Sequence, residues 1–196
     1  MAAFPIEEAV DTEYALSVES DGSPALARPS HVRPDGGVAM VDVGAKPVTA
    51  RAAHARAMLR MTPASAAALR AATLAKGDAF AAAQIAGILA AKQTATLIPL
   101  AHPLPLSSVD VTFAWASPTV LAIDAIARTS AQTGVEMEAM VAVSIAALTI
   151  YDMTKSLDKG IVIETVRLLE KSGGKSGTWR ASDIDTSADP DAMNVR

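Results

Sequence analysis

The 196-residue sequence predicts an α+β fold in which an antiparallel sheet carries its helices on one face. The first observation is the order of elements across residues 38–178, which reads strand, helix, strand, strand, helix, strand. The second is a pair of apolar alternations separated by Ser117 and Pro118, the pattern of a hairpin. This combination is typical of the split βαβ, or ferredoxin-like, arrangement.

The first half of the predicted fold begins with strands at residues 40–43 and 48–61. The alanines and arginines of the second segment are also compatible with a helix. Thr62 precedes Pro63, and an N-cap followed by proline at the first helical position predicts a helix. Asp78 is placed to cap a second helix, which an apolar periodicity extends by several turns.

The second half begins with residues 109–115, where apolar and polar side chains alternate, and a second strand follows the turn. Thr133 and Glu136 have the spacing of a capping box, which predicts the start of a long helix over residues 134–157. Residues 161–171 then predict a final strand. Two main helices and the strands around them complete the pattern.

The composition at the two ends of the chain differs from that of its centre. Prolines and glycines collect at residues 20–37, so residues 1–37 are interpreted as a flexible amino-terminal extension. Residues 179–196 are rich in Asp, Ser and Ala with little to bury, which predicts a flexible carboxyl-terminal tail. One ordered domain is therefore expected over residues 38–178.

Composition and charge exclude several functional classes. The net charge is −4 and basic residues are scattered, so neither nucleic acid nor a membrane is expected as a partner. The chain has no cysteine, which excludes disulfides and thiolate metal sites, and its three histidines are too dispersed to predict a metal centre. The amino terminus lacks the features of a secretory signal, and a cytoplasmic protein is expected. Apolar residues make up 51% of the sequence, which we interpret as a sign of a buried subunit interface.

Asp152 and Lys155 are candidate proton-transfer residues. They are three positions apart on the predicted long helix and therefore neighbours on one face. A surface ion pair is the ordinary interpretation of this spacing, and a general acid/base pair in a cleft is the functional one. Lys76, immediately before the cap of the second helix, is either a solvated loop lysine or part of an anion site.

The glutamates of the long helix impose a geometric constraint. Glu136 is accounted for by the capping box, so Glu138 is the better candidate for contacting a ligand. Glu138 and Asp152 are 14 residues apart, which places them on nearly the same face of the helix but about 21 Å apart along its axis. A single site that uses both requires either a break in the helix or residues from two subunits, and we favour two subunits.

Two further segments carry candidate site residues. His102 stands before Pro103 in a predicted loop and is either a structural histidine or a proton carrier near neutral pH. Lys171 and Lys175 flank glycines near the end of the domain, where main-chain amides and ammonium groups together suit an oxyanion. A flexible turn is the equally supported alternative for this glycine segment.

The order and content of seven segments resemble the MoaC family. They include Lys-Gly-Asp, Leu-Ile-Pro-Leu-Ala-His-Pro-Leu and Thr-Gly-Val-Glu-Met-Glu-Ala. The segments occupy residues 40–43, 76–78, 85–88, 97–104, 133–139, 146–155 and 166–177. The resemblance implies a ferredoxin-like subunit, a hexamer built from three dimers, and active sites at dimer interfaces.

The resemblance also implies an activity, cyclic pyranopterin monophosphate synthase, in molybdenum cofactor biosynthesis. The implied substrate is 3′,8-cyclo-7,8-dihydroguanosine triphosphate, and the implied products are cyclic pyranopterin monophosphate and pyrophosphate. The reaction moves protons and needs no electron, so no cofactor is expected. The residues that match the family's catalytic positions are Asp152, Lys155, Lys76 and His102. Those that match substrate-binding positions are Leu100, Ala101, His102, Met137, Glu138, Arg51, Lys171 and Lys175.

Four positions depart from the family's pattern. Ala101 replaces a common cysteine, and Gln84, Gln93 and Gln132 stand where basic residues are common. Because fewer positive charges could weaken triphosphate binding, an alternative hypothesis is a catalytically weakened MoaC-like paralogue that binds a nucleotide or a protein partner.

Overall fold

The structure of the protein is a computed structural model that describes residues 36–182. The chain divides into two compact units, residues 1–41 and residues 42–196. In the first unit, the described residues 36–41 include neither an α-helix nor a strand of more than one residue. All the helices and strands described below belong to the second unit.

The second unit contains one five-stranded sheet and four helices within its described part. The elements in chain order are β1 Thr49–Arg60, α1 Pro63–Arg70, α2 Ala79–Lys92, α3 Thr94–Leu97, β2 Leu106–Ser117, β3 Val120–Ala131, α4 Glu136–Thr154, β4 Val162–Ser172 and β5 Trp179–Arg180. The strand order is β2-β3-β1-β4-β5, and every neighbouring pair is antiparallel. The predicted ferredoxin-like fold is confirmed.

One face of the sheet is buried beneath α4. Alternate residues of β1 from Ala53 to Leu59 are buried, and they lie opposite the buried residues Leu121, Ile123, Ala125 and Ala127 of β3. Strand geometry explains this pattern, because successive side chains point to opposite faces. Residues Thr49–Arg60, which the sequence left ambiguous between helix and strand, therefore form a strand.

Small residues let the two main helices approach closely. At Gly87 of α2, an added Cβ would lie 2.9 Å from the carbonyl oxygen of Ala142 and 3.4 Å from the Cβ of Ala146, both on α4. By composition and length α4 is apolar enough to cross a membrane, but half of its apolar window is buried within the protein. Since it packs against α2, β1, β3 and β4, α4 is the central core helix.

Three details differ from the sequence predictions. Residues 40–43 are not in the sheet, since a short apolar alternation predicts extended backbone but does not provide a neighbouring strand. α4 has Val135 at its N-cap with no side-chain capping bond, so the predicted capping box of Thr133 and Glu136 is wrong. The segment expected to be a tail begins with β5, where Arg180 pairs with Glu170 of β4.

The ends of α1 follow local capping chemistry. The Thr62 hydroxyl accepts a hydrogen bond from the Ser65 amide at 3.3 Å, and proline occupies the first turn as predicted. At the other end, Ala72 has a left-handed φ of 52°, and the amides of Ala72 and Thr73 donate to the carbonyls of Leu69 and Ala68. This is a Schellman arrangement with alanine at the position that favours glycine.

We expect Ala72→Gly to stabilise the protein by about 0.5–1 kcal/mol. Removing the Cβ relieves a left-handed conformation that costs roughly 1–2 kcal/mol, and the greater entropy of the unfolded glycine chain offsets about half of that gain. Urea denaturation measures the change. Ala71→Gly is the matched control, because Ala71 has an ordinary helical φ of −79° and glycine there should destabilise the protein. A less stable Ala72→Gly variant would contradict the assignment of strain.

Candidate functional site

The carboxyl-terminal end of α4 carries a three-residue charge cluster. The ammonium of Lys76 lies 2.7 Å from Oδ2 of Asp152, and the ammonium of Lys155 lies 2.6 Å from Oδ1. Lys76 also donates to the main-chain carbonyl of Asp152 at 2.6 Å. One carboxylate therefore binds two ammonium groups, one from its own helix and one from 76 residues earlier in the chain.

The two ammonium groups determine the protonation of this cluster. The hydrogen bonds from Lys155 and then Lys76 lower the pKa of Asp152 to about 2, and the same contact with Asp152 raises the pKa of Lys155. All three side chains are at least 40% exposed. In the isolated chain Asp152 is thus an ionised carboxylate at neutral pH, held on the surface between two proton donors.

A sharp turn brings Lys76 to Asp152. Gly77 has a φ of 95°, in the left-handed region, and its amide donates to the carbonyl of Leu74. Asp78 then caps α2 by accepting from the Ala81 amide at 3.0 Å, as the sequence predicts. The turn directs Lys76 to Asp152, whose carboxylate meets its positive charge.

A cationic pocket lies at the opposite end of α4. It is small and partly open to solvent, and its walls come from the start of β1, the end of β4 and the first turn of α4. The lining residues are Arg51, Ala52, Gly134, Val135, Glu136, Lys171, Ser172, Gly173 and Ser176. Two of the predicted substrate-binding cations, Arg51 and Lys171, meet here, while Lys175 is exposed on the adjoining turn.

Main-chain groups fix the guanidinium of Arg51. Its Nε donates to the Ala131 carbonyl at 3.0 Å, and one terminal nitrogen donates to the Gln132 carbonyl at 3.1 Å. Gly174 lies so close that an added Cβ would be 2.4 Å from the guanidinium, and its φ of 73° favours glycine independently. The glycine segment therefore allows the chain to fold directly over Arg51.

Glu136 is the pocket residue that sequence reasoning missed. Its carboxylate Oε1 lies 3.3 Å from the ammonium of Lys171. The Glu136 side chain bends back over Gly134, and a Cβ added at Gly134 would clash with the carboxylate. The capping-box spacing concealed this contact, because the same two residues also fit a helix start. No signal in the sequence pairs Glu136 with a lysine of β4.

Glu138, two residues further along α4, is buried and only 3% exposed. Burial is the largest cause that raises its pKa to about 7, and the neighbouring charge of Glu136 raises it further against the opposing effect of its own main-chain amide. The adjacent Met137 is exposed. Glu138 is therefore a carboxyl group that exchanges its proton near neutral pH.

The remaining predicted site residues lie in the loop between α3 and β2. Leu100, Ala101 and His102 are each half-buried there, and the Ala101 amide donates to the Ile98 carbonyl in a turn. The structure thus brings together Lys76, Asp152 and Lys155 in one group. It brings together Arg51 and Lys171 in another, about 24 Å away if measured along α4 from Glu136, the partner of Lys171, to Asp152.

The three unusual glutamines all make hydrogen bonds within the chain. Gln132 donates from its side-chain amide to the carbonyls of Gly44 and Lys46, both at 3.1 Å. Gln84 donates to the Val111 carbonyl at 2.9 Å, which links α2 to β2. The exposed Gln93 side chain lies 3.4 Å from the Thr96 hydroxyl, which donates to the Gln93 main-chain carbonyl at 2.7 Å. The side chains of Gln84 and Gln132 thus hold loops and elements in place.

Comparison with known proteins places these residues in a family. The sequence profile of the MoaC family matches residues 40–174, which is more than half of the chain. The chain belongs to the MoaC family. The match includes both charged groups at the ends of α4.

Similar proteins carry one name. The chain is 52% identical over 154 residues to the cyclic pyranopterin monophosphate synthase of Novosphingobium aromaticivorans, covering 79% of this chain and 98% of that protein. It is 48% identical over 159 residues to the enzyme of that name in Thermomicrobium roseum, covering 81% and 96%. It is 52% identical over 153 residues to that of Nitratidesulfovibrio vulgaris, covering 78% and 95%. The MoaC domain here is therefore of full length relative to these proteins.

We expect Lys155→Met to raise the pKa of Asp152 from about 2 towards its ordinary value of 3.8, because the variant loses the largest cause of the lowered pKa. Lys76 continues to hold the carboxylate, so the rise should be partial. Carboxyl ¹³C chemical shifts followed against pH measure it. Lys159→Met removes a nearby lysine that does not contact Asp152 and serves as the control. An unchanged titration in Lys155→Met would refute the shared-carboxylate arrangement.

We expect Glu138→Gln to alter the dependence of stability on pH. Between pH 4.5 and 7 the unfolded glutamate is ionised while the folded one keeps its proton, so stability falls as pH rises through this window. Glu138→Gln has no carboxyl group to titrate. It therefore keeps the free energy of unfolding that the wild type loses across this window, about 3 kcal/mol. Urea denaturation at several pH values measures the difference. Parallel profiles for variant and wild type would contradict the raised pKa.

Proposed function

We propose that this chain is a cyclic pyranopterin monophosphate synthase, which converts 3′,8-cyclo-7,8-dihydroguanosine triphosphate to cyclic pyranopterin monophosphate and pyrophosphate. The observation that carries the proposal is the Lys76, Asp152 and Lys155 cluster, in which proton donors and a carboxylate share one surface. The relatives that bear this name are about half identical to the chain over most of its length.

The reaction opens the imidazole ring of the guanine, closes a pyrazine ring and forms a cyclic phosphate as pyrophosphate leaves. Each step transfers protons, and Lys76 and Lys155 supply them as ammonium groups. A bound triphosphate competes with Asp152 for these ammonium groups, which weakens the ion pairs and frees the carboxylate to accept a proton. His102, which matches a catalytic position of the family, assists in these proton transfers.

The second group of residues suits the substrate's phosphates and base. Arg51, Lys171 and Lys175 provide positive charge for the triphosphate and for the departing pyrophosphate. Leu100, Ala101 and Met137 contact the pterin portion. The family resemblance assigns Glu138 to the same portion, but its side chain is only 3% exposed, so in the free chain it holds its proton, with a pKa near 7, out of reach of the substrate.

We further propose that each active site is shared between two chains. The two charged groups lie at opposite ends of a 19-residue helix, too far apart for one substrate within a single chain. A two-fold axis near the middle of α4 would place the Asp152 end of one protomer beside the Arg51 end of its partner. Exposed apolar residues such as Leu148 on α4 and Ile85 on α2 support such an assembly, which we take to be a cytoplasmic hexamer of three dimers.

The alternative of a weakened paralogue rested on Gln84, Gln93 and Gln132. Their side chains bind the chain itself, with Gln132 holding the loop that contains Gly44 and Lys46. Neutral amides thus fulfil structural roles at these positions, and no contact in the described residues favours the alternative.

Turnover of the cyclised triphosphate tests the activity. We expect wild-type protein to release pyrophosphate and cyclic pyranopterin monophosphate, and Asp152→Asn and Lys155→Ala to lose at least about 100-fold in kcat, the range of general acid/base catalysis. Lys159→Met should retain full activity as a matched lysine control. Equal rates in all these proteins would reject the mechanism.

Complementation tests the shared site. Asp152→Asn and Lys171→Met each damage one end of α4, so a mixed dimer would contain one intact site and one doubly damaged site. Co-expression or refolding of the two variants together should restore about a quarter of wild-type activity, since half of the dimers are mixed and each has one working site. No recovery in verified mixed dimers would show that each chain works alone.

A further inference from the structure

The cationic pocket already holds an anion from its own chain. Lys171 is paired with the Glu136 carboxylate at 3.3 Å, and both side chains are about 30% exposed, so solvent and ligands reach them. The pairing is local: Glu136 lies in the first turn of α4, at the positive end of the helix dipole. The carboxylate therefore occupies a position that also suits a phosphate oxygen.

The two cations of the pocket differ in freedom. Arg51 is fixed by the carbonyls of Ala131 and Gln132 and covered by Gly174. Lys171 has Glu136 as its charged partner, on a flexible side chain whose ammonium turns readily towards another anion. A single lysine–carboxylate pair that solvent reaches is weak, so a polyphosphate with several charges displaces it easily.

We propose that Glu136 is a displaceable counter-ion of the polyphosphate site. Its carboxylate binds Lys171 in the free chain, is exchanged for a phosphate oxygen when polyphosphate enters, and returns to Lys171 as pyrophosphate leaves. Glu136 acts through Lys171 and is a positioning residue. The inference rests on the proposed function, because it takes a polyphosphate as the ligand. It adds that Glu136 helps to determine the affinity for polyphosphate and the release of pyrophosphate.

The Glu136 carboxylate lowers the affinity of the pocket for pyrophosphate. Binding of pyrophosphate must break the Lys171 pair and place new negative charge near Glu136, so both effects weaken binding in the wild type. Glu136→Gln keeps the size of the side chain and removes both effects. The structure therefore predicts a gain of affinity, which damage to the fold does not produce.

Calorimetric titration with inorganic pyrophosphate tests the proposal on the full chain. We expect Glu136→Gln to bind about tenfold more tightly than wild type, a difference of 1.4 kcal/mol. Product inhibition by pyrophosphate should strengthen by a similar factor. Glu164→Gln is the matched control: it removes the same charge from a β4 residue paired with Arg60, about 23 Å along the strand from Lys171, and should leave affinity unchanged.

A second pair of variants tests whether the effect passes through Lys171. In a Lys171→Met background, Glu136→Gln should improve pyrophosphate affinity by a smaller factor than in the wild type, because the competition for the ammonium is gone and only the repulsion between the carboxylate and the ligand remains. Glu136→Asp keeps the charge but shortens the side chain, and its affinity should fall between wild type and Glu136→Gln. Circular dichroism confirms that each variant is folded.

The outcomes separate this inference from the proposed function. Equal or weaker binding by Glu136→Gln, or an undiminished gain in the Lys171→Met background, overturns the counter-ion role. If neither wild type nor Glu136→Gln binds pyrophosphate, the counter-ion role is also overturned. Turnover of the cyclised triphosphate by wild type decides the proposed function independently of all three results.

Discussion

The close contact between α2 and α4 is the constraint on which the rest of the structure depends. Gly87 meets the backbone of α4 near Ala142, and alanines of α4 and β1 continue the small-residue packing down to the sheet. This packing buries one face of α4 from Glu138 to Thr154 and leaves Asp152 and Lys155 exposed near its carboxyl-terminal end. The ends of the helix then become the natural positions for charged chemistry, and the distance between them is fixed by the helix itself.

The carboxyl groups at the two ends of α4 lie in different electrostatic environments. At the carboxyl-terminal end, one exposed carboxylate is shared by two ammonium groups, and the favourable charges keep Asp152 ionised. At the amino-terminal end, burial keeps Glu138 protonated towards neutral pH, while the neighbouring Glu136 remains in contact with Lys171. Carboxyl groups on a single helix thus differ widely in proton affinity because one is in water between cations and another is in the core.

The sequence was most informative where local chemistry determines structure. Thr62 with Pro63 and Asp78 predicted the starts of α1 and α2, and the alternation of residues 109–115 predicted β2. It also placed Asp152 beside Lys155, which follows from helical spacing alone. The family resemblance assigned Lys76 to the same catalytic set but did not predict its contact with Asp152, because a contact across 76 residues depends on how the helices pack.

Where sequence reasoning was wrong, a local pattern had two meanings. Glu136 has the spacing of a capping residue, yet the nearby ammonium of Lys171 offers its carboxylate a stronger partner. Residues 40–43 alternate like a strand, and their hydrogen-bonding partners are set by the whole sheet rather than by the segment. β5 is two residues long and is recognisable only because β4 lies beside it.

The small side chains between α2, α4 and the sheet also shape the mutational tolerance of this chain. A larger residue at Gly87 meets a main-chain oxygen, which has no rotamer by which to move aside. No change of a facing side chain moves this oxygen, so substitution at Gly87 requires the two helices to move apart. The charged side chains at the ends of α4 meet no such backbone barrier, and their replacement is limited instead by the ionic partners they share.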